Sequence, residues 1–377
     1  MTNMELLFDL VYVFAITQLS TQLEAGITLR GLLQTAVLFQ AVWWAWGYTA
    51  WATGWINPER KLVAALMAVL MVLSLLMASA IPDAFEHRGL AFAGTYLTMQ
   101  ILRSVFMVWA FGIKQTMGRN YAQLLAWSVI AGLFWIAGAL IHDPDSRLAV
   151  WALAAVVDLS APMHGFTLPG VGSRPMSDWS VAGGHLAERY QLVLMIAFGE
   201  SVLRIGEGFA GSHWSARGDV AFVLGFAVTF ALWSLYFLHH APEGAETMET
   251  SEDAAAMGRG AYAYAHEVMV GSVILLAVAV HMAIAHPDDG VGSGFAAVCL
   301  GAPALFLLGI TLSKHWLGHD RPLPLVVGAA LLALLGAVAA FSDRLAELAV
   351  AAAVSVVLAI WAQLDGDSAD EPSIQIP

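Results

Sequence analysis

The sequence predicts an all-α polytopic membrane protein of about twelve transmembrane helices, and three observations carry that expectation. Of the 377 residues, 59% are hydrophobic and only 12% charged, where soluble domains carry about a quarter charged. Twelve apolar stretches are each long enough, at about 20 residues, to cross about 30 Å of hydrocarbon. Long alternating strand patterns are missing, so the backbone groups in lipid must be satisfied within helices.

In chain order the stretches are residues 4–24, 31–53, 62–82, 89–112, 121–141, 148–169, 185–209, 218–239, 261–285, 292–313, 322–341 and 345–363. The chain opens MTNMELLFD and runs straight into the first stretch, without the basic start and small-residue cleavage site of a signal peptide, so that helix is expected to be retained. Pro162 in the sixth stretch and Pro303 in the tenth predict kinks or local unwinding. An even number of crossings puts both termini on one side. Sorting cations by loop gives that side Arg60, Lys61, Lys114, Arg119, Arg174, Arg259, Lys314 and Arg321, and the other Arg30, Arg88, Arg147, Arg217 and Arg344. The excess favours cytoplasmic termini.

The series divides into two similar halves. FDLVYVFAITQ (from Phe8) lies over YQLVLMIAFGE (from Tyr190), FQAVWWA over GFAVTFA, and MASAIPD (from Met77) over MAIAHPD (from Met282). Six stretches per half imply parallel repeats about an axis along the membrane normal. The expected domains are 1–172, 173–364 and an acidic tail, 365–377.

Ionisable groups inside apolar helices are the candidate sites, since burying each in hydrocarbon costs at least about 2.5 to 3.5 kcal/mol. On the seventh helix His185, Arg189, Glu200 and Arg204 fall at about 0°, 40°, 60° and 100°, with Glu188 at about −60°, so they share one face. On the first, Glu5 and Asp9 are one turn apart, with Gln18 further along. Glu5 is expected among the headgroups near the positive helix end, whereas Asp9 is expected to pair helices or carry a proton. Glu200 and Arg204 suit either an internal salt bridge or a proton gate. Arg103 on the fourth helix and Asp158 on the sixth each stand alone; opposite in sign, they are candidates for each other or for the seventh helix.

Other features read as structural. WWAWGYTAWATGW, Trp43 to Trp55, is expected as an interfacial aromatic belt, with an aromatic-lined pocket as its functional alternative. His239, His240, His266 and His281 lack metal-ligand spacing, and His266 and His281 lie about 22 Å apart along a straight helix, so no metal is expected. The single cysteine, Cys299, leaves no disulfide framework. A net charge of −13, with the excess acid in Glu243 to Asp253 and the tail, argues against nucleic acid.

ELLFDLVYVFAITQLS (Glu5 to Ser20), WWAWGYTAW and SDWSVAGGHLAERYQLVLMIAFGES (Ser177 to Ser201) resemble the bacterial low temperature requirement A family over nearly the whole chain. The resemblance implies a multi-pass bacterial inner-membrane protein. It marks Glu5, Asp9, Gln18, His185, Glu188, Arg189, Gly199 and Glu200 as matching the family pattern, and supplies no chemistry. Glu267, in AHEVMVG, stands where the family leads one to expect an apolar residue, which leaves room for a specialised activity.

The expected function is a proton-linked secondary transporter or permease of a small substrate. Asp9, Glu200 and His185 are the proton-transfer candidates, and Glu188, Arg189, Arg204, Arg103, Asp158 and Gln18 the substrate-binding ones. The alternative is an integral-membrane enzyme acting on a lipid or isoprenoid with a buried carboxylic acid as general acid; a scaffold with purely structural charges is a third reading. Membrane lipid and a small or lipid-like substrate are the expected partners, with no cofactor.

Overall fold

Short polar signals start the helices. Thr2 and Glu5 form a reciprocal capping box on α1 (Asn3–Glu24), Thr28 caps α2 (Leu29–Thr53), and Asp143 caps α6 (Pro144–Met163), whose first residue is a proline that has no N–H to leave unsatisfied. The computed structural model describes residues 1–173, 178–179, 181–212, 214–319, 322–338 and 341–369. Arg174, Ser177, Arg321 and the acidic tail beyond residue 369 lie outside the described residues. The chain is 83% helical, with no strand among those residues.

Between α2 and α6 come α3 (Lys61–Ala80), α4 (Gly89–Phe111) and α5 (Thr116–Leu140). These six helices, the start of α7 (Gly183–Gly211) as far as Val193, and Glu249–Arg259 form one compact unit. Within it α1 packs on α2 and α3, α4 on α3 and α5, and α6 on α5 and α2. Gly138 lets α5 and α6 approach: an added Cβ would sit 2.4 Å from the Trp151 ring, which donates its Nε1–H to the Trp135 carbonyl at 2.8 Å. Arg147, counted above as a loop cation, is buried, and donates to the carbonyls of Ala84, Glu86 and Ile141.

The second unit holds Leu194–Met248 and the chain from Gly260 on. It contains α8 (Ala216–Ser234), a π-helical turn (Leu235–His240) and most of α9 (Ala241–Thr250). The widened turn falls immediately before Pro242, which lacks the N–H to continue the ladder. After α10 (Ala254–Met257) and a second π-helical segment (Gly258–Tyr264) come α11 (Ala265–Ala285), α12 (Ser293–Cys299), α13 (Gly301–Trp316), α14 (Leu323–Val338) and α15 (Arg344–Ala369). Almost wholly apolar, α11 is surrounded by α8, α12, α13 and α15. The break between α12 and α13 answers to Pro303, which leaves the Cys299 carbonyl without its helical donor. Pro162 lies in the last turn of α6, beyond which Gly165 and Phe166 adopt positive φ.

Among the described residues nine helices are long and apolar enough to cross a membrane, against the twelve the sequence suggests. The shortfall has physical causes. Tryptophan, tyrosine and glutamine lower the hydropathy of α2, ionisable groups interrupt α7, and α14, at 16 residues, spans only about 24 Å. Exposed apolar side chains such as Leu7 and Leu10 on α1, Val72 and Leu76 on α3, and Phe226 and Phe230 on α8 are those of lipid-embedded helices.

Candidate functional site

In the first unit the i,i+4 spacing on α1 presents Glu5 and Asp9 to one side chain, Arg189 of α7. Its Nε and Nη2 grip the two oxygens of Asp9 at 3.0 and 2.6 Å, and its Nη1 reaches Glu5 Oε1 at 3.0 Å and Thr53 Oγ1 at 2.9 Å. From α2, Trp46 Nε1–H donates to Asp9 Oδ1 at 2.8 Å. All three charged groups are at most 1% exposed. Glu5, expected among the headgroups, is instead turned inward, because one guanidinium serves both carboxylates while the Thr2 cap holds the Glu5 carboxylate at the helix start.

His185, one turn before Arg189, puts Nε2 3.3 Å from Glu5 Oε1, with its side chain 27% exposed. Glu188 stays outside the cluster and pairs with the N-terminal amine at 3.3 Å. Gln18 is half-buried on α1 and takes no part. Trp43, Trp44 and Trp46, expected at the interface, are at most 4% exposed. Trp43 and Trp46 pack against the Tyr190 ring with centroids 5.8 and 4.8 Å away, and Trp51 donates to its hydroxyl at 3.1 Å. They form a wall beside Asp9 rather than a belt, since Trp46 has a buried acceptor to satisfy.

Arg103 and Asp158 are connected, but not directly. Asp158 Oδ2 accepts from Tyr96 O–H at 2.8 Å and Trp135 Nε1–H at 2.9 Å. Gln100 Nε2 donates to the Tyr96 oxygen at 2.8 Å, and Arg103 Nη2 donates to Gln100 Oε1. The relay crosses α4, α5 and α6 through neutral side chains.

In the second unit Arg204 Nε donates to Glu200 Oε1 at 3.0 Å, one turn back on the same helix, and Nη1 lies 3.6 Å from the exposed Glu207. The two π-helical segments supply a cluster that spacing did not reveal. Tyr236 O–H lies 2.5 Å from His266 Nε2, whose ring stacks on Tyr262, while His266 Nδ1 is 2.8 Å from the Ala261 carbonyl. His240 Nε2 is 2.9 Å from Ser313 Oγ. Glu267 is half-buried beside His266 in sequence. No group of three His, Cys, Asp or Glu side chains among the described residues is placed to hold a metal ion.

Trp46, Thr53, Tyr96, Gln100, Trp135 and Tyr236 are site residues that sequence reasoning missed. Their shared signal was a hydrogen-bonding side chain within an apolar run, common to many aromatic residues that merely pack.

The family described as bacterial low temperature requirement A protein matches residues 1–360. A relative from Rhizobium meliloti (strain 1021), named Uncharacterized protein RA0937, is 33% identical over 359 residues, covering 95% of this chain and 87% of the relative. No solved structure matches the chain.

Proposed function

The chain belongs to the bacterial low temperature requirement A family, and on that premise we propose that it is a proton-linked secondary transporter or permease of a small substrate. The observation supporting this is a surplus of buried acid: Glu5 and Asp9 share the single guanidinium of Arg189. With both carboxylates ionised, the three groups carry one net negative charge in a low-dielectric interior, and one proton removes it. His185 is the least buried member of the cluster, its side chain 27% exposed, and serves as the entry for that proton. Loading it loosens the hold of Arg189 on one carboxylate, which couples protonation to movement of α1 against the start of α7.

Glu200, with Arg204 as its counter-charge, is the corresponding proton-linked carboxylate of the second unit. This reading takes twelve crossings of a bacterial inner membrane, in six-helix halves at 1–172 and 173–364, with both termini cytoplasmic. Proteoliposomes loaded with a trapped pH indicator test it against pools of small metabolites. A subset of solutes is expected to drive proton movement, and Asp9→Asn and Glu200→Gln to abolish it while leaving the fold intact. Proton movement undiminished in both variants refutes the assignment. The aromatic wall of Trp43, Trp46 and Tyr190 beside Asp9 favours a second reading, an enzyme acting on a lipid or isoprenoid; new products from prenyl lipids supplied to the purified protein would select it.

A further inference from the structure

Among the described residues of the first unit three carboxylates are buried. Glu5 and Asp9 are taken by Arg189, and Asp158 by two neutral donors. Arg103 is left without a carboxylate partner among the described residues, although it is as buried as Arg189 at 0% exposed. Its contacts are thin. Nη2 donates to Gln100, Nη1 reaches Thr49 Oγ1 only at 3.3 Å, the guanidinium carbon lies 5.2 Å from the Tyr48 ring centroid, and Nε has no hydrogen-bond partner. A buried guanidinium normally has its fork filled, because each unsatisfied donor on a charged group is costly.

We propose that Arg103 is the binding group for a small monoanion, best a planar carboxylate. The unpartnered Nε shares an edge of the guanidinium with Nη2, which gives one of its two N–H groups to Gln100, so a carboxylate on that edge would take Nε–H and the second Nη2 N–H. Asp158 stands off behind Tyr96 and Gln100, so in direct contact one negative charge matches the one positive charge of Arg103, whereas a divalent anion would carry surplus charge into a low-dielectric site. The Tyr48 ring lies against the guanidinium, and Tyr96 is joined to it through Gln100, so the groups around Arg103 are neutral and partly apolar. As the substrate class of a transporter this proposal rests on the reading above; as a binding site it stands without it.

The test uses purified full-length protein in detergent, with no membrane gradient. Thermal unfolding is followed while sodium propionate or sodium acetate replaces sodium chloride at constant ionic strength. The wild-type midpoint is expected to rise by at least about 2 °C at saturation, and the Arg103→Gln midpoint to stay fixed. No rise in the wild type, or the same rise in Arg103→Gln, overturns the proposal. If Arg103→Gln does not fold, Arg103→Lys keeps the charge but not the fork. It is expected to need on the order of 10-fold more propionate for the same effect, and an unchanged concentration dependence overturns the proposal. Arg103-dependent stabilisation without proton-coupled flux in liposomes keeps this site and removes the transport reading; flux without stabilisation does the reverse.

Discussion

Arg189 and Arg103 are equally hidden, yet one is gripped by two acids and the other meets only neutral groups. Arg189 holds two carboxylates and a threonine hydroxyl, so its charge is overcompensated. Arg103 touches an amide oxygen, a distant hydroxyl and a ring face. The difference teaches that a buried arginine fastens helices where its fork is filled from within, and that where one N–H is left over the fastening is incomplete.

Removing each charge in turn breaks the comparison most forcefully. Arg189→Gln strands two buried carboxylates and is expected to cost about 3–5 kcal/mol, read as loss of the monodisperse peak in detergent. Arg103→Gln removes a charge that nothing neutralises directly, and is expected to cost no more than about 1 kcal/mol without added anion. Equal damage from the two substitutions would erase the contrast. A smaller effect sharpens the first half of it: Trp46→Phe takes the indole donor from Asp9 and should cost about 1.5–3 kcal/mol, seen as a lower unfolding midpoint with retained helicity.

The smallest effect calibrates these buried groups against an exposed carboxylate. The Ser146 hydroxyl and backbone N–H hold the Asp143 cap below the usual carboxylate range. A depressed folded value means that the ionised cap stabilises fully above the ordinary aspartate pKa of about 3.9 and loses that contribution as pH falls through the lower folded value. The midpoint difference between wild type and Asp143→Ala should therefore be small and constant above about pH 5, and shrink on acidification below pH 4. A difference that grows on acidification would contradict the capping account.

Much of the helical plan was legible because each helix is set by local chemistry. Pro303 announced a break, whereas the caps at Thr28 and Asp143 start α2 and α6 a few residues ahead of the apolar stretches, which begin at 31 and 148, because a polar cap lies outside the hydrophobic run. The π-helical turn before Pro242 was equally local but fell at the end of an apolar stretch, where the ladder distortion has no periodicity to betray it. The shared face of His185 and Arg189 followed from helical geometry. Glu5 was misplaced because proximity to a chain start says nothing about which neighbour turns the side chain inward.

The tryptophans of α2 mark the same boundary. Composition placed them in an apolar helix, but whether Trp46 faced headgroups or the Asp9 carboxylate depended on where α1 lay. The sequence by itself determined that ionisable side chains would sit inside apolar helices, since their positions along each helix are fixed by spacing alone. Only tertiary structure decided that Arg189 meets two acids and that Arg103 reaches Asp158 through Gln100 and Tyr96, because a charge in low dielectric takes whatever donor or acceptor a neighbouring helix brings within hydrogen-bond reach.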